Sequence, residues 1–177
     1  MFTAFTLFSH QIYPVFVVLF TMKALILYRQ SVYILSMKIA IASDHAGFDL
    51  KQKLIEYVGG PLKVLDLGAY STESVDYPDF GRAMGETISG GDAARGILVC
   101  GSGIGISIAA NRFAAVRAAL CTSAEMAMLA RQHNDANVLV LGARIVDEAT
   151  ARACVDAFLK TEFEGGRHAA RVQKLSQ

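Results

Sequence analysis

Gly96-Ile97-Leu98-Val99-Cys100-Gly101-Ser102-Gly103-Ile104-Gly105 is the stretch that decides the fold. A short apolar run that ends in a thiol and empties into a glycine-rich turn predicts a buried strand feeding a helix N-terminus. Such a turn aims several backbone N–H groups at one spot, and the helix dipole favours negative charge there. Cys100 stands at its lip, where the same potential is expected to lower the thiol pKa and favour thiolate. A base beside an anion cradle predicts proton transfer on a negatively charged small molecule. The plainer reading of a strand-end cysteine is inert packing.

Outward from this stretch, short apolar runs alternate with amphipathic ones. Lys38–Ala42, Leu62–Leu67, Gly96–Cys100, Val116–Leu120 and Val138–Leu141 are five strand candidates without internal proline. All are apolar on both faces or nearly so, as expected of a parallel sheet covered on both sides. Leu50, Leu54, Ile55 and Val58 mark one helical face, closed by Gly59-Gly60-Pro61. Ala151, Val155, Phe158 and Leu159 mark another, behind an Asp147 N-cap with Glu148 in its first turn. Five βα units in series predict an α/β fold, a Rossmann-like doubly wound five-stranded parallel sheet flanked by helices. Ligands in that architecture bind at the carboxyl ends of the strands, at the switch point.

The whole chain of 177 residues is 53% hydrophobic and carries a net charge of +1. It has no basic patch interleaved with aromatics, which argues against a nucleic-acid partner. Cys100, Cys121 and Cys154 are widely spaced and odd in number, and no Cys/His metal spacing is present, so free thiols in a reducing, cytoplasmic setting are expected. Residues 1–36 differ from the rest: they hold no acidic residue, and removing their Lys23 and Arg29 takes the net charge from +1 to −1. The apolar run Ile12 to Phe20 is far short of the ~20 residues that span a bilayer. Extending it to Tyr28 encloses Lys23, at about 2.5–3.5 kcal/mol on insertion scales. No basic segment precedes it and no small-x-small site follows, so a signal peptide fits poorly. We expect residues 1–36 to be an extension from a misassigned start and residues 37–177 to be the functional domain. An interfacial membrane anchor is the alternative.

The switch-point rule then selects residues. Ser43-Asp44-His45-Ala46-Gly47 follows the first strand, Cys100 and its turn the third, and Gly142-Ala143-Arg144 the fifth. His133-Asn134 precedes the fifth strand, and we expect it to join the others at the sheet's carboxyl end. An imidazole there would shuttle a proton near neutrality, although a histidine capping a helix C-terminus is equally common. Asp44 also suits a helix N-cap. Asp76-Tyr77-Pro78-Asp79 reads as a helix start through a rigid turn, or as a border of the pocket. Arg167 and Arg171, four apart on one face of a short helix, suit a phosphate, or else an ordinary solvated helix end.

Five strings in order, SDHAGF, DYPDF, ILVCGSGIGISIAANR, RQHNDANVLVLGAR and EGGRHAARV, resemble the sugar-phosphate isomerase family. This family holds the type-B ribose-5-phosphate isomerases and the galactose-6-phosphate isomerase subunits. The resemblance runs from Met37 to about Leu175 and implies aldose–ketose isomerisation of a five-carbon sugar phosphate with no metal or organic cofactor. It implies Cys100 as the base that moves a proton between C2 and C1, and His133 as the acid that opens the furanose ring. Gly101, Gly103, Ile104 and Gly105 would bind the enediolate through backbone N–H groups, assisted by the Ser102 hydroxyl, where the family usually shows threonine. Asp44 and His45 would contact the sugar, Asn134 the oxyanion side, and Arg144, Arg167 and Arg171 the sugar or phosphate. It also implies a homodimer or dimer of dimers with the site at the interface, where His133 and Arg144 serve a neighbouring subunit. The short apolar helix after Gly105 suits such an interface. The competing readings are the same chemistry on allose 6-phosphate, galactose 6-phosphate or a tetrulose phosphate, or a binding module without turnover. A dinucleotide site fits less well, because the turn lacks the full GxGxxG and follows the third strand.

Overall fold

In the computed structural model, residues 38–59 and 63–175 are described. The expectation for residues 1–36 lies outside them. Five parallel strands form one sheet: β1 (Lys38–Ser43), β2 (Lys63–Asp66), β3 (Arg95–Cys100), β4 (Ala118–Leu120) and β5 (Val138–Gly142), in the order β2-β1-β3-β5-β4. The first crossover moves outward from β1 to β2. The next returns past β1 to β3, so the switch point lies between β1 and β3. The expected doubly wound parallel sheet is observed, each strand within two residues of its expected bounds. β4 starts two residues late, because Val116 and Arg117 precede the ladder while the Asn111 side chain bonds the Ala118 N–H and C=O.

Helices α1 (Phe48–Val58), α2 (Tyr77–Gly90), α3 (Ile104–Ala110), α4 (Ala124–Asn134), α5 (Glu148–Lys160) and α6 (Ala169–Leu175) complete the described residues. Ala40, Ala42, Leu98, Cys100, Val138 and Val140 turn one sheet face toward Met84 and Ile88 of α2 and Ile106 and Ala110 of α3. Strand alternation sends the fully buried Ile39, Ile41, Ile97, Val99, Leu139 and Leu141 to the other face. Burying each such side chain contributes about 1.5–3 kcal/mol. Asp147 caps α5 by accepting from the Thr150 N–H at 2.8 Å, and Ala151, Val155, Phe158 and Leu159 are its buried face, as expected. The α1 face differs in one position. Lys51, not Ile55, is buried with Leu50, Leu54 and Val58. Its ammonium pairs with Asp66 at 2.5 Å and lies over the Phe48 and Tyr70 rings, which satisfies a charge that burial alone would make costly.

Two glycines let the switch point close. Gly47 lies so near β3 that a Cβ would stand 2.5 Å from the Val99 carbonyl oxygen. Gly103 has φ +80°, and a Cβ there would meet Leu120 Cδ1 at 2.5 Å and the Leu141 carbonyl at 3.2 Å. Gly103→Ala is therefore expected to cost about 2–4 kcal/mol, from left-handed backbone strain and overpacking together. A urea titration would check this, and an unshifted midpoint would contradict it.

Cys121 predicts an alkaline weakness. Burial, and then the nearby Cys154 thiol, push its pKa up to about 12. The folded chain therefore holds this proton after the unfolded chain has lost it. The resulting stability is complete below the ordinary thiol range and fades as pH rises toward 12. Between pH ~7 and ~10 the expected loss is about 2 kcal/mol. Urea midpoints should fall over that interval by less in Cys121→Ala than in the unaltered chain.

Candidate active site

β1 and β3 end side by side, with Ser43 opposite Val99, and their next residues are Asp44 and Cys100. Asp44 is 5% exposed and uses both carboxylate oxygens. Oδ1 accepts from the Gly47 N–H at 3.0 Å, capping the one-turn helix His45–Gly47, and Oδ2 accepts from Cys100 Sγ at 2.9 Å. The N-cap reading of Asp44 is correct and incomplete, since the same side chain holds the thiol. His45 is anchored through Nδ1, 3.2 Å from both the N–H and the C=O of Val75.

On the far side of Cys100, the end of β5 is tied to the glycine turn. Ala143 N–H donates to the Cys100 carbonyl at 2.8 Å and Arg144 N–H to the Gly101 carbonyl at 3.0 Å. Arg144 carries its guanidinium over Gly101, 3.4 Å from where a Cβ would sit. Asp44, His45, Ala46, Cys100, Gly101, Ser102, Arg144 and Ile145 line one open cleft of about 310 Å³. Ile145 is the member that sequence reasoning passed over, an apolar neighbour of Arg144 without a chemical signal, while Ala46 was selected only as part of the Ser43–Gly47 run and given no role.

The expected thiolate is corrected by the surroundings of Cys100. Burial, then the hydrogen bond to Asp44, push its pKa up. The backbone N–H groups of Gly103 and Ser102 pull the other way, as the turn's geometry predicts, but they are outweighed. The resting thiol is protonated. Ser102 Oγ accepts from the Ile104 N–H at 3.3 Å, so its hydroxyl stays at the mouth of the turn. Tyr77 packs its ring on Gly105, where a Cβ would stand 2.5 Å away; the Asp76–Asp79 segment starts α2 and is absent from the cleft lining.

His133 and Asn134 are not at the carboxyl end of the sheet. They end α4, which runs back against the strands and delivers the chain to the amino end of β5, where the Asn137 carbonyl meets the N–H of Gly96. Gly96 and Cys100 stand near opposite ends of β3, about 13 Å apart at strand rise. His133 stacks on His168, ring centroids 4.4 Å apart and planes 8° apart, and each Nε2 lies 3.9–4.0 Å from Glu164 Oε2. Arg167 stands on a one-turn helix, Gly166–His168, rather than on the same helix as Arg171 in α6. It donates from Nε to His168 Nε2 at 3.3 Å. Burial first, and then the neighbouring His133, Arg167 and Arg171, hold His168 below the ordinary imidazole range, which suits it to accept that bond. Glu164 and His168 were missed as partners of His133; their only sequence signal was nearness to the arginine pair.

The ligand atoms of His133, Glu164 and His168 lie within 4.8 Å of one another, close enough to consider a metal. His168 Nε2 already accepts from Arg167, and Arg171 adds a second positive charge near the cluster. The cluster suits an anion better than a cation. One chain thus presents two separate clusters at opposite ends of the sheet: a thiol–carboxylate cleft and a histidine–arginine cluster.

Residues 39–175 match the family described as Ribose/Galactose Isomerase. The chain belongs to that family and is an isomerase. It is 45% identical over 140 residues to ribose-5-phosphate isomerase B of Escherichia coli, covering 78% of this chain and 94% of that one. It is 50% identical over 138 residues to a putative sugar phosphate isomerase of Rickettsia bellii, covering 77% and 96%. Among solved structures it is similar to ribose-5-phosphate isomerase B of Clostridium thermocellum, with TM-score 0.78, 50% identity and coverage of 79% and 95%. The corresponding Thermotoga maritima enzyme gives TM-score 0.77 and 52% identity over 79% and 97% of the two chains.

Proposed function

We propose that this isomerase interconverts ribose 5-phosphate and ribulose 5-phosphate, a step of pentose phosphate metabolism, through an enediolate and without a metal or organic cofactor. The observation that carries the reading is a thiol at the β1/β3 switch point, facing a glycine turn, in a chain whose relatives are named for that substrate. Cys100 takes the proton from C2 and returns it to C1. The backbone N–H groups from Gly101 to Gly105 and the Ser102 hydroxyl receive the developing oxyanion, where one donor is worth about 2.7–4 kcal/mol. Asp44 and His45 meet the sugar and Arg144 closes over it.

His133, Asn134, Arg167 and Arg171 enter from a second copy, because no single chain brings them to Cys100. His133 is the acid that opens the furanose ring, Asn134 faces the oxyanion, and the arginines hold the phosphate. Ile104 and Ile108, 56% and 52% exposed and four apart on α3 beside the cleft, supply apolar surface for that homodimer contact. We place the activity in residues 37–177 and in the reducing cytoplasm, consistent with three unpaired thiols. No helix among the described residues is long and apolar enough to cross a membrane.

The test is ketose formation from ribose 5-phosphate by the full chain and by residues 37–177, in the presence of EDTA. Turnover by both, lost in Cys100→Ala, is the expected result. Turnover only on a hexose or tetrulose phosphate would move the substrate and keep the chemistry. Silence across such a panel would leave a sugar-phosphate-binding module. Arg171→Ala removes a cation that touches only the unreactive phosphate, so KM should rise about tenfold or more while kcat changes little. An unchanged KM would remove Arg171 from the phosphate site.

A further inference from the structure

A base that rests as a protonated thiol needs somewhere to put its own proton. We infer that Asp44 is a catalytic residue that takes the Cys100 proton and makes the pair, rather than the thiol alone, the base of the isomerisation. The inference rests on the isomerase reading above and deepens it. Asp44 Oδ2 is 2.9 Å from Cys100 Sγ, both residues are more than nine-tenths buried, and Asp44 Oδ1 is fixed by the Gly47 N–H. No rotation of the carboxylate is needed for the transfer. The other titratable or charged groups lining the cleft are His45, held by Val75, and Arg144, over Gly101.

The step balances. At rest the pair holds one proton and one negative charge. As the Cys100 S–H proton passes to Asp44 Oδ2, the sulfur takes the C2 proton of the open-chain aldose. The C2–H electron pair becomes the C1–C2 double bond, and the carbonyl electrons move to O1. The pair now holds two protons and no charge, and the enediolate holds the charge. The O2–H proton shifts to O1 within the cis-enediolate, the sulfur returns its proton to C1, and Asp44 returns its own to the sulfur. The backbone N–H groups of Ser102 and Gly103 stabilise the sulfur while it carries negative charge.

Asp44→Asn keeps an oxygen for the Gly47 cap and loses the proton acceptor. Asp44→Ser, a side chain equally suited to an N-cap, tests the same loss with a different shape. In the full chain, thiolate is followed by ultraviolet absorbance against Cys100→Ser as blank, alongside kcat and KM from neutral to alkaline pH. The unaltered chain should turn over well below the pH at which its thiolate appears. Both Asp44 variants should lose about 100-fold in kcat near neutrality. Their thiolate should appear at lower pH than in the unaltered chain, with kcat recovering in step. Thiolate titrations that coincide with the unaltered chain's would overturn the inference, as would a loss confined to KM or an unchanged kcat. If no sugar phosphate is turned over, the isomerase reading fails, while the paired thiol titrations still decide whether Asp44 governs the Cys100 proton.

Discussion

Cys100→Ala is expected to lower kcat by about 10³-fold or more, some 4 kcal/mol of barrier, and to leave KM within about twofold. The separation follows from the geometry. Sγ lies at the end of β3, held by Asp44 and faced by the turn's N–H groups, and it contributes no charge or donor that a phosphate would feel. The side chain is 6% exposed, so the truncation removes a small apolar volume next to Ile106, Leu98 and Val140 and leaves the cleft's polar rim in place. A loss in KM equal to the loss in kcat would show that the thiol helps to bind the sugar. A variant active at the wild-type rate would remove Cys100 from the reaction. Cys100→Ser is the sharper control. It retains a hydroxyl beside Asp44, and its failure would show that the sulfur's acidity and reach are required, rather than the volume.

The order of the elements was legible because parallel strands in a covered sheet are apolar on both faces, and their boundaries are marked by residues with one task. Asp147 and Asp44 cap the helices they precede, and the glycine turn leads β3 into α3. Lys51 was illegible as a core residue: nothing in its own neighbourhood shows that Asp66, fifteen positions on, will meet its charge. The state of Cys100 was misread for a similar reason. The turn's N–H groups are local and visible in sequence, whereas burial and the carboxylate of Asp44 arrive from β1 and outweigh them. His133 was misplaced by one geometric step, since a residue that precedes a parallel strand stands at its amino end. That His133 and Cys100 meet across two chains is implied by the family resemblance alone, and it is the arrangement proposed above.

That arrangement predicts rescue between two inactive proteins. Cys100→Ala and His133→Ala homodimers should each be impaired, the second by about 100-fold through loss of the ring-opening acid. In a two-fold dimer each site takes Cys100 from one chain and His133 from the other. A mixed dimer therefore concentrates both lesions in one site and leaves the other intact. Random exchange makes half the dimers mixed, each with one working site of two, so about a quarter of wild-type activity should return. If Cys100 and His133 served one site within a single chain, every site in the mixture would carry a lesion and nothing would return. The position of the two half-sites favours the first outcome: β3 alone separates its two ends by a distance no side chain here crosses, and Arg144, unlike Arg167 and Arg171, already lies over the Cys100 cleft of its own chain. Adding Ile108→Asp to both variants should abolish the rescue, because a charge in the middle of the half-exposed Ile104–Ile108 face stays solvated only while the chains remain apart. Rescue that survives that substitution would place the shared interface elsewhere on the chain.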